Sequence, residues 1–144
     1  MVVGLGAMMV APSAMARVCA VSIDSNDQMQ FSSRQIKVAA DCSEVDLTLR
    51  HTGKLAVTAM GHNWVLTRTA DYQPVALAGM RTSLADSYLP KGDARVLAHT
   101  KVIGGGETAR VRFSTKGLQK GGDYTFFCSF PGHFAMMKGT FVFG

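Results

Sequence analysis

The stretch from Tyr124 to Gly139 constrains this chain more than any other. Tyr124-Thr125-Phe126-Phe127-Cys128 has the aromatic and Thr content of a β-strand, and Pro131-Gly132 cuts it off with a turn. Thr140-Phe141-Val142-Phe143 reads as a second strand, so Cys128, His133 and Met137 share one connection between two strands. Such a loop can fold back and aim a thiol, an imidazole and a thioether at one point. Pro131 limits its freedom and Gly132 allows a backbone conformation closed to other residues, so the three side chains are held in advance. Taken singly, they read as a buried free Cys, a structural His and a core Met. Their joint spacing around a turn selects a metal site instead.

One Cys, two His and a weak axial Met are the donors of a blue-copper electron-transfer site. The loop supplies three of these four. The second imidazole has to come from elsewhere, and the best candidate is His62 in Met60-Gly61-His62-Asn63-Trp64. Structural zinc also takes Cys and His, but the Met favours copper. A binuclear copper centre needs a second Cys in the loop, and there is none. An enzyme with Cys128 as nucleophile needs a third orienting group and an oxyanion-binding arrangement, neither of which the sequence displays. The remaining alternative is a copper storage or delivery protein with no redox role. A preorganised four-donor set argues against it, because delivery needs ligands that let the metal go.

At 144 residues the chain suits one domain with a full core. Its formal charge of +5 is modest, and Lys and Arg are spread along the chain, so a nucleic-acid surface is poorly supported and only a mild preference for acidic partners follows. Residues 1–16 contain no charged side chain and end in Ala14-Met15-Ala16, the small-x-small form of a signal-peptidase site. The run is too short to span a bilayer, and no basic segment precedes it, which points to a longer precursor. Residues 1–16 are therefore expected to be a signal-peptide remnant, and 17–144 the exported domain, with no membrane insertion of the mature chain.

Export makes the three cysteines intelligible, since an odd thiol in that setting needs a task. Cys19 and Cys42 lie in the N-terminal third and are expected to pair, leaving Cys128 as the thiolate. Closing that loop contributes about 3.4 kcal/mol on the chain-entropy model, less any native strain.

The rest of the mature chain is patterned as strands. Val18 to Ser22 and Gln35 to Ala39 are short β-prone runs; Val45 to Arg50 and Thr108 to Phe113 alternate strictly between apolar and polar residues. Trp64 to Thr67 and Arg95 to Ile103 are further strand candidates, and Gly104-Gly105-Gly106 is a turn. Many short strands between turns indicate a β-sandwich or barrel. Asp71 to Leu89 is Ala-rich and poor in β-branched residues, which predicts a short helix or flap covering one side. Trp64 reads as a core aromatic.

With these motifs in place, Met60-Gly61-His62-Asn63-Trp64, Asn26-Asp27-Gln28-Met29-Gln30-Phe31, Ala98-His99-Thr100-Lys101 and the Cys128/His133/Met137 loop resemble the azurin family of blue-copper proteins, from about Cys19 to Gly144. The resemblance implies an all-β, cupredoxin-like Greek-key β-sandwich or barrel with one short inserted helix. It implies one copper per chain, held by His62, Cys128 and His133, with Met137 and the Gly61 carbonyl as axial contacts. Asn63 would tie the two ligand-bearing loops together, and the backbone amides of Asn63 and Phe130 would donate to the Cys128 sulfur. The His133 edge would be the electron port, ringed by a docking patch of Met29, Leu55, Met60 and Ala135, with Phe134 where the family usually has a small residue. His51 resembles a histidine near the metal; it is followed by Thr52 where a Pro is common, so a pH-responsive ring and a packed core imidazole both stay open. His99 matches a surface histidine. The implied task is one-electron transfer in the periplasm, with c-type cytochromes or copper and haem respiratory enzymes as partners.

Overall fold

The structure, a computed structural model, describes residues 8–11 and 15–144. Residues 1–7 and 12–14, most of the expected leader, lie outside the described set. Met8, Met9, Val10 and Met15 are exposed and belong to no helix or strand.

Ten elements follow in chain order: β1 (Val18–Ser25), β2 (Gln35–Val38), β3 (Glu44–His51), α1 (Val57–Met60), β4 (Val65–Arg68), α2 (Tyr72–Gly79), β5 (Ala98–His99), β6 (Thr108–Ser114), β7 (Tyr124–Phe127) and β8 (Lys138–Phe143). One sheet has the order β1-β3-β6 and the other β2-β8-β7-β4-β5, so the chain crosses between sheets as a Greek-key sandwich requires. β1 and β3 run parallel, as do β2 and β8; the remaining pairs are antiparallel.

The alternation in β3 decides which face is inside. Val45, Leu47 and Leu49 are fully buried and share one core with Trp64, Phe126 and Phe141 from the second sheet. Asp46 and Arg50 point outward with Glu44, where Arg110 pairs with Asp46 at 2.8 Å, Arg112 with Glu44 at 2.8 Å, and Arg50 with Asp24 at 2.7 Å. Exposed pairs contribute about 0 to 1 kcal/mol each, whereas burying one Leu or Phe is worth about 1.5 to 3 kcal/mol. The inner face therefore holds the sheets together.

β7 does not alternate because both of its faces are covered. Tyr124 and Phe126 join the inter-sheet core; Phe127 joins a second cluster with Val65, Tyr72, Val75, Ala76 and Leu89. That second cluster is the underside of α2, which forms within the expected flap and is followed by a 3-10 turn at Leu84–Asp86.

Two local features depart from the sequence expectations. The one-turn helix α1 has no side-chain cap and no periodic signal, and it precedes the expected single helix. The expected strand from Arg95 to Ile103 forms a ladder only at Ala98–His99. The N–H groups of Leu97, Thr100 and Ile103 donate to Leu66, Trp64 and His62, so this chain advances three residues for every two on its neighbour. Extra residues of that kind bulge out and break the ladder.

Cys19 and Cys42 form a disulfide with a Cα separation of 5.8 Å, and Cys128 is free and buried. No helix among the described residues is long and apolar enough to cross a membrane.

Candidate metal centre

The pairing of β4 with β7 brings the two candidate loops together. Val65 lies opposite Phe127, so His62 just before β4 and Cys128 just after β7 emerge at the same end of one antiparallel pair. The His62 backbone is fixed by reciprocal bonds with Ile103, N–H to O at 2.9 Å and 2.8 Å. The second loop is closed at its neck, where the Cys128 N–H donates to the Met137 carbonyl at 3.0 Å. Inside it the His133 N–H donates to Phe130 O at 3.0 Å and the Met137 N–H to His133 O at 2.8 Å. Gly132 has φ +85°, the left-handed conformation that the Pro-Gly dipeptide predicts.

Three donors converge there. The Cys128 Sγ lies 3.8 Å from His62 Nδ1 and 3.7 Å from His133 Nδ1, and all three ligand atoms fall within 4.8 Å of one another. His62 and Cys128 are fully buried and His133 is 3% exposed. The Gly61 carbonyl oxygen stands 3.9 Å from Sγ, and Met137, at the foot of the same loop, is buried.

Hydrogen bonds set the orientation of each ring. His62 Nε2–H donates to the Asn26 carbonyl at 2.7 Å, which leaves Nδ1 as a bare lone pair facing Sγ. The Asn26 side chain holds that carbonyl in place by accepting the N–H groups of Gln28 and Gln30. His51 stacks on His62, centroids 4.5 Å apart, with Nε2–H donating to Met60 O at 2.8 Å and Nδ1 accepting the Gly53 N–H at 3.1 Å. His133 packs against Phe130 at 4.5 Å between centroids, and its Nε2 has no partner among the described residues.

Asn63 links the loops: its Oδ1 accepts the Ser129 N–H at 2.8 Å, and its Nδ2 donates to Ser129 Oγ at 2.8 Å and to the Ser87 carbonyl at 3.1 Å. Ser129 Oγ–H donates to the same Ser87 carbonyl at 2.8 Å.

Comparison with known proteins agrees with this geometry. Residues 17–144 match the family described as copper binding proteins, plastocyanin/azurin family. The azurin of Bordetella pertussis is 54% identical, over 96% of this chain and 94% of its own. Azurin-1 of Alcaligenes xylosoxydans xylosoxydans is 54% identical, over 85% of this chain and 95% of its own. Among solved structures, the azurin Az-iso2 of Methylomonas sp. strain J superposes with a TM-score of 0.85 at 43% identity, covering 88% of this chain and 98% of that one. This chain belongs to the plastocyanin/azurin family.

The donor set fits the copper that the family binds. His62 Nδ1 and Gly61 O are acceptors in a buried space where the weak Cys128 S–H is the nearest donor, so the cluster lacks positive charge. Burial holds the His62 and His133 pKa values down to about 4, with each ring's charge also disfavoured by a neighbouring imidazole. Both imidazoles are thus neutral ligands at physiological pH. Burial pushes the Cys128 thiol up to about 12, although the backbone N–H groups of Asn63 and Phe130 donate to the sulfur and pull the other way. Cys128, as a thiolate freed of its proton, would hold a soft cation together with His62 Nδ1, His133 Nδ1 and the Gly61 carbonyl, and such a cation would satisfy these acceptors.

The remaining expected residues are placed as follows. Leu55 and Ala135 are exposed, Met29 and Met60 are partly buried, and Phe134 turns toward α2 to pack on the Tyr72 ring at 6.4 Å between centroids. His99 is exposed on β5, outside the cluster. Trp64 is fully buried, and its Nε1 is the one buried side-chain nitrogen or oxygen without a partner among the described residues. Three contributors were not legible beforehand: the Asn26 and Ser87 carbonyls, which are backbone groups, and Ser129, whose partner is remote in sequence. Met136, 68% exposed, is the most exposed large apolar side chain of the ligand loop.

Proposed function

We propose that the mature chain, residues 17–144, is a periplasmic one-electron carrier and not an enzyme, and that residues 1–16 are its export leader. His62, Cys128 and His133 would hold one copper, with Met137 and the Gly61 carbonyl as further contacts. Bound copper supplies a reversible one-electron couple between copper(II) and copper(I). The observation that carries the proposal is the convergence of Sγ and two Nδ1 atoms, buried and within 4.8 Å, on two loops tied by Asn63.

The chain's own groups supply rigidity. Tautomer, ring stacking and loop closure are all fixed by protein contacts, so the ligands have little room to rearrange when charge changes. The same burial opposes delivery of copper to an acceptor, and it keeps Cys128 protonated and covered, unsuited to attack a substrate. The family match begins at Arg17, which supports the leader boundary. The outer edge of His133 beside Ala135 and Met136 would be the point of closest approach for a c-type cytochrome or a copper or haem respiratory enzyme.

The test is a visible absorption and electron paramagnetic resonance spectrum after one equivalent of copper(II). An intense blue band with narrow copper hyperfine splitting, bleached by ascorbate and restored by oxidant, is expected. A pale tetragonal copper spectrum would overturn the assignment.

A further inference from the structure

Beside the ligand loop lies an open groove of about 570 Å³, lined by Met29, Gln30, Arg34, Tyr72, Met136 and Lys138 among others. A second hollow of about 270 Å³ adjoins it and shares Gln30, Arg34, Met136 and Lys138, so the two form one depression divided at the two cations. No carboxylate lines either part.

The hydrogen-bonding capacity of this depression is unspent on the donor side. Arg50, Arg95, Arg110 and Arg112 each face a carboxylate, whereas Arg34 is exposed and has none among the described residues. Lys138 Nζ donates to Tyr72 Oη at 3.0 Å, which leaves two of its three N–H groups free. Tyr72 Oη also accepts from Gln73 Nε2 at 3.2 Å, so its lone pairs are occupied while its own proton has no acceptor. A guanidinium, an ammonium and a phenol therefore all have protons to offer beside a space that no carboxylate lines. Apolar surface flanks them, since Met29, Ala135 and Met136 line the same groove.

We propose that this groove is where an acidic side chain of the redox partner docks, an Asp or Glu carboxylate held between Arg34 and Lys138 while apolar partner residues cover Ala135 and Met136. This rests on the electron-carrier reading and names the chemistry of the partner face: acidic, beside an apolar patch. Lys138 follows Met137 directly and pairs with Phe127 across β7 and β8, so a carboxylate seated there lies against the base of the ligand loop. Arg suits the role because its planar fork matches a carboxylate. The occupant of the groove is not a second copy of this chain, whose own carboxylate-free groove offers Arg34 and Lys138 no anion.

The test uses the copper-loaded mature protein, an acidic bacterial c-type cytochrome as probe, and a basic mitochondrial cytochrome c as control. Arg34→Gln combined with Lys138→Gln should slow electron transfer with the acidic cytochrome about tenfold at low salt, the difference vanishing at high salt. The rate with the basic cytochrome should not fall. Amide shifts of the zinc-loaded, nitrogen-15-labelled protein should map the acidic cytochrome onto Arg34, Met136 and Lys138. Unchanged rates and salt dependence in the double variant, with the blue band intact, would overturn the docking proposal and leave the carrier function standing. Loss of the blue band in the wild-type protein would sink the carrier reading, and the zinc-loaded titration would still decide the docking. Shifts at these residues with inorganic phosphate but none with cytochrome would overturn the proposal in favour of a free-anion site.

Discussion

Asn63 and Ser129 exchange two hydrogen bonds of 2.8 Å, one through the Ser129 backbone and one through its hydroxyl, and so lock the His62 loop to the Cys128 loop. Asn63→Leu keeps the approximate volume and removes both bonds. It strands the buried Ser129 N–H, which costs about 1 to 3 kcal/mol. Urea unfolding of the apoprotein should show a loss of that size. A midpoint equal to wild type would mean that the loops are held by packing alone.

Met137→Gln should retain copper and lower its potential, because an oxygen or nitrogen donor favours copper(II) more than a thioether does. Cyclic voltammetry reads the change directly. An unaltered potential would remove Met137 from the set of copper contacts.

Stability of the apoprotein should pass through a maximum between about pH 6.5 and 9. His62 and His133 ordinarily titrate near 6.5 but are held to about 4 in the fold. The unfolded chain therefore binds more protons across that interval, and stability falls as pH drops from 6.5 toward 4. Cys128 behaves oppositely: its ordinary value of 9.0 is raised to about 12, so the unfolded chain loses its proton first and stability falls as pH rises through that range. Denaturant midpoints across pH check both limbs. Cys128→Ser should flatten the alkaline limb and abolish the blue band of the copper-loaded protein. An alkaline limb that persists unchanged in this variant would assign it to another group.

A thiol titration of the denatured, unreduced apoprotein should find one thiol per chain, since Cys19 and Cys42 are joined and Cys128 is free. Three thiols would mean that the bridge does not form in the isolated protein.

Self-exchange between two copies should slow in Ala135→Lys and in Met136→Lys, because each puts a charge on exposed surface of the ligand loop. Line broadening in mixtures of reduced and oxidised protein measures it. Wild-type exchange in both variants would place the port away from this face.

The sequence was most informative where periodicity and spacing both have one physical solution. Val45, Leu47 and Leu49 alternate because one face of β3 is core, and all three are buried as that pattern requires. The Cys128, His133 and Met137 spacing around Pro131-Gly132 likewise predicted a closed loop, and the Cys128 to Met137 bond closes it. Resemblance carried what spacing could not: His62 was only the best candidate for the second imidazole until the family supplied its role, and Asn63 as the link between loops came from the family as well. Three features resisted both routes. α1 has no cap or amphipathic face of its own. The run from Arg95 to Ile103 has strand composition but accompanies β4 out of step, which depends on where the neighbour's carbonyls lie. Phe134, flanking His133, packs edge-on against the Tyr72 ring of α2, a contact between residues remote in sequence that neither spacing nor resemblance announces.

The outer face of the three-stranded sheet has a consequence for encounter. Its strands carry three arginines and three carboxylates, and each is matched: Arg50 to Asp24, Arg110 to Asp46, Arg112 to Glu44. Charges cancelled within a few ångströms leave little field at the distance of a Debye length. That broad side is electrically quiet and exerts almost no torque on an approaching charged protein. Orientation in an encounter then falls to the cations that have no counterpart, and a molecule mute on one side is steered by the other.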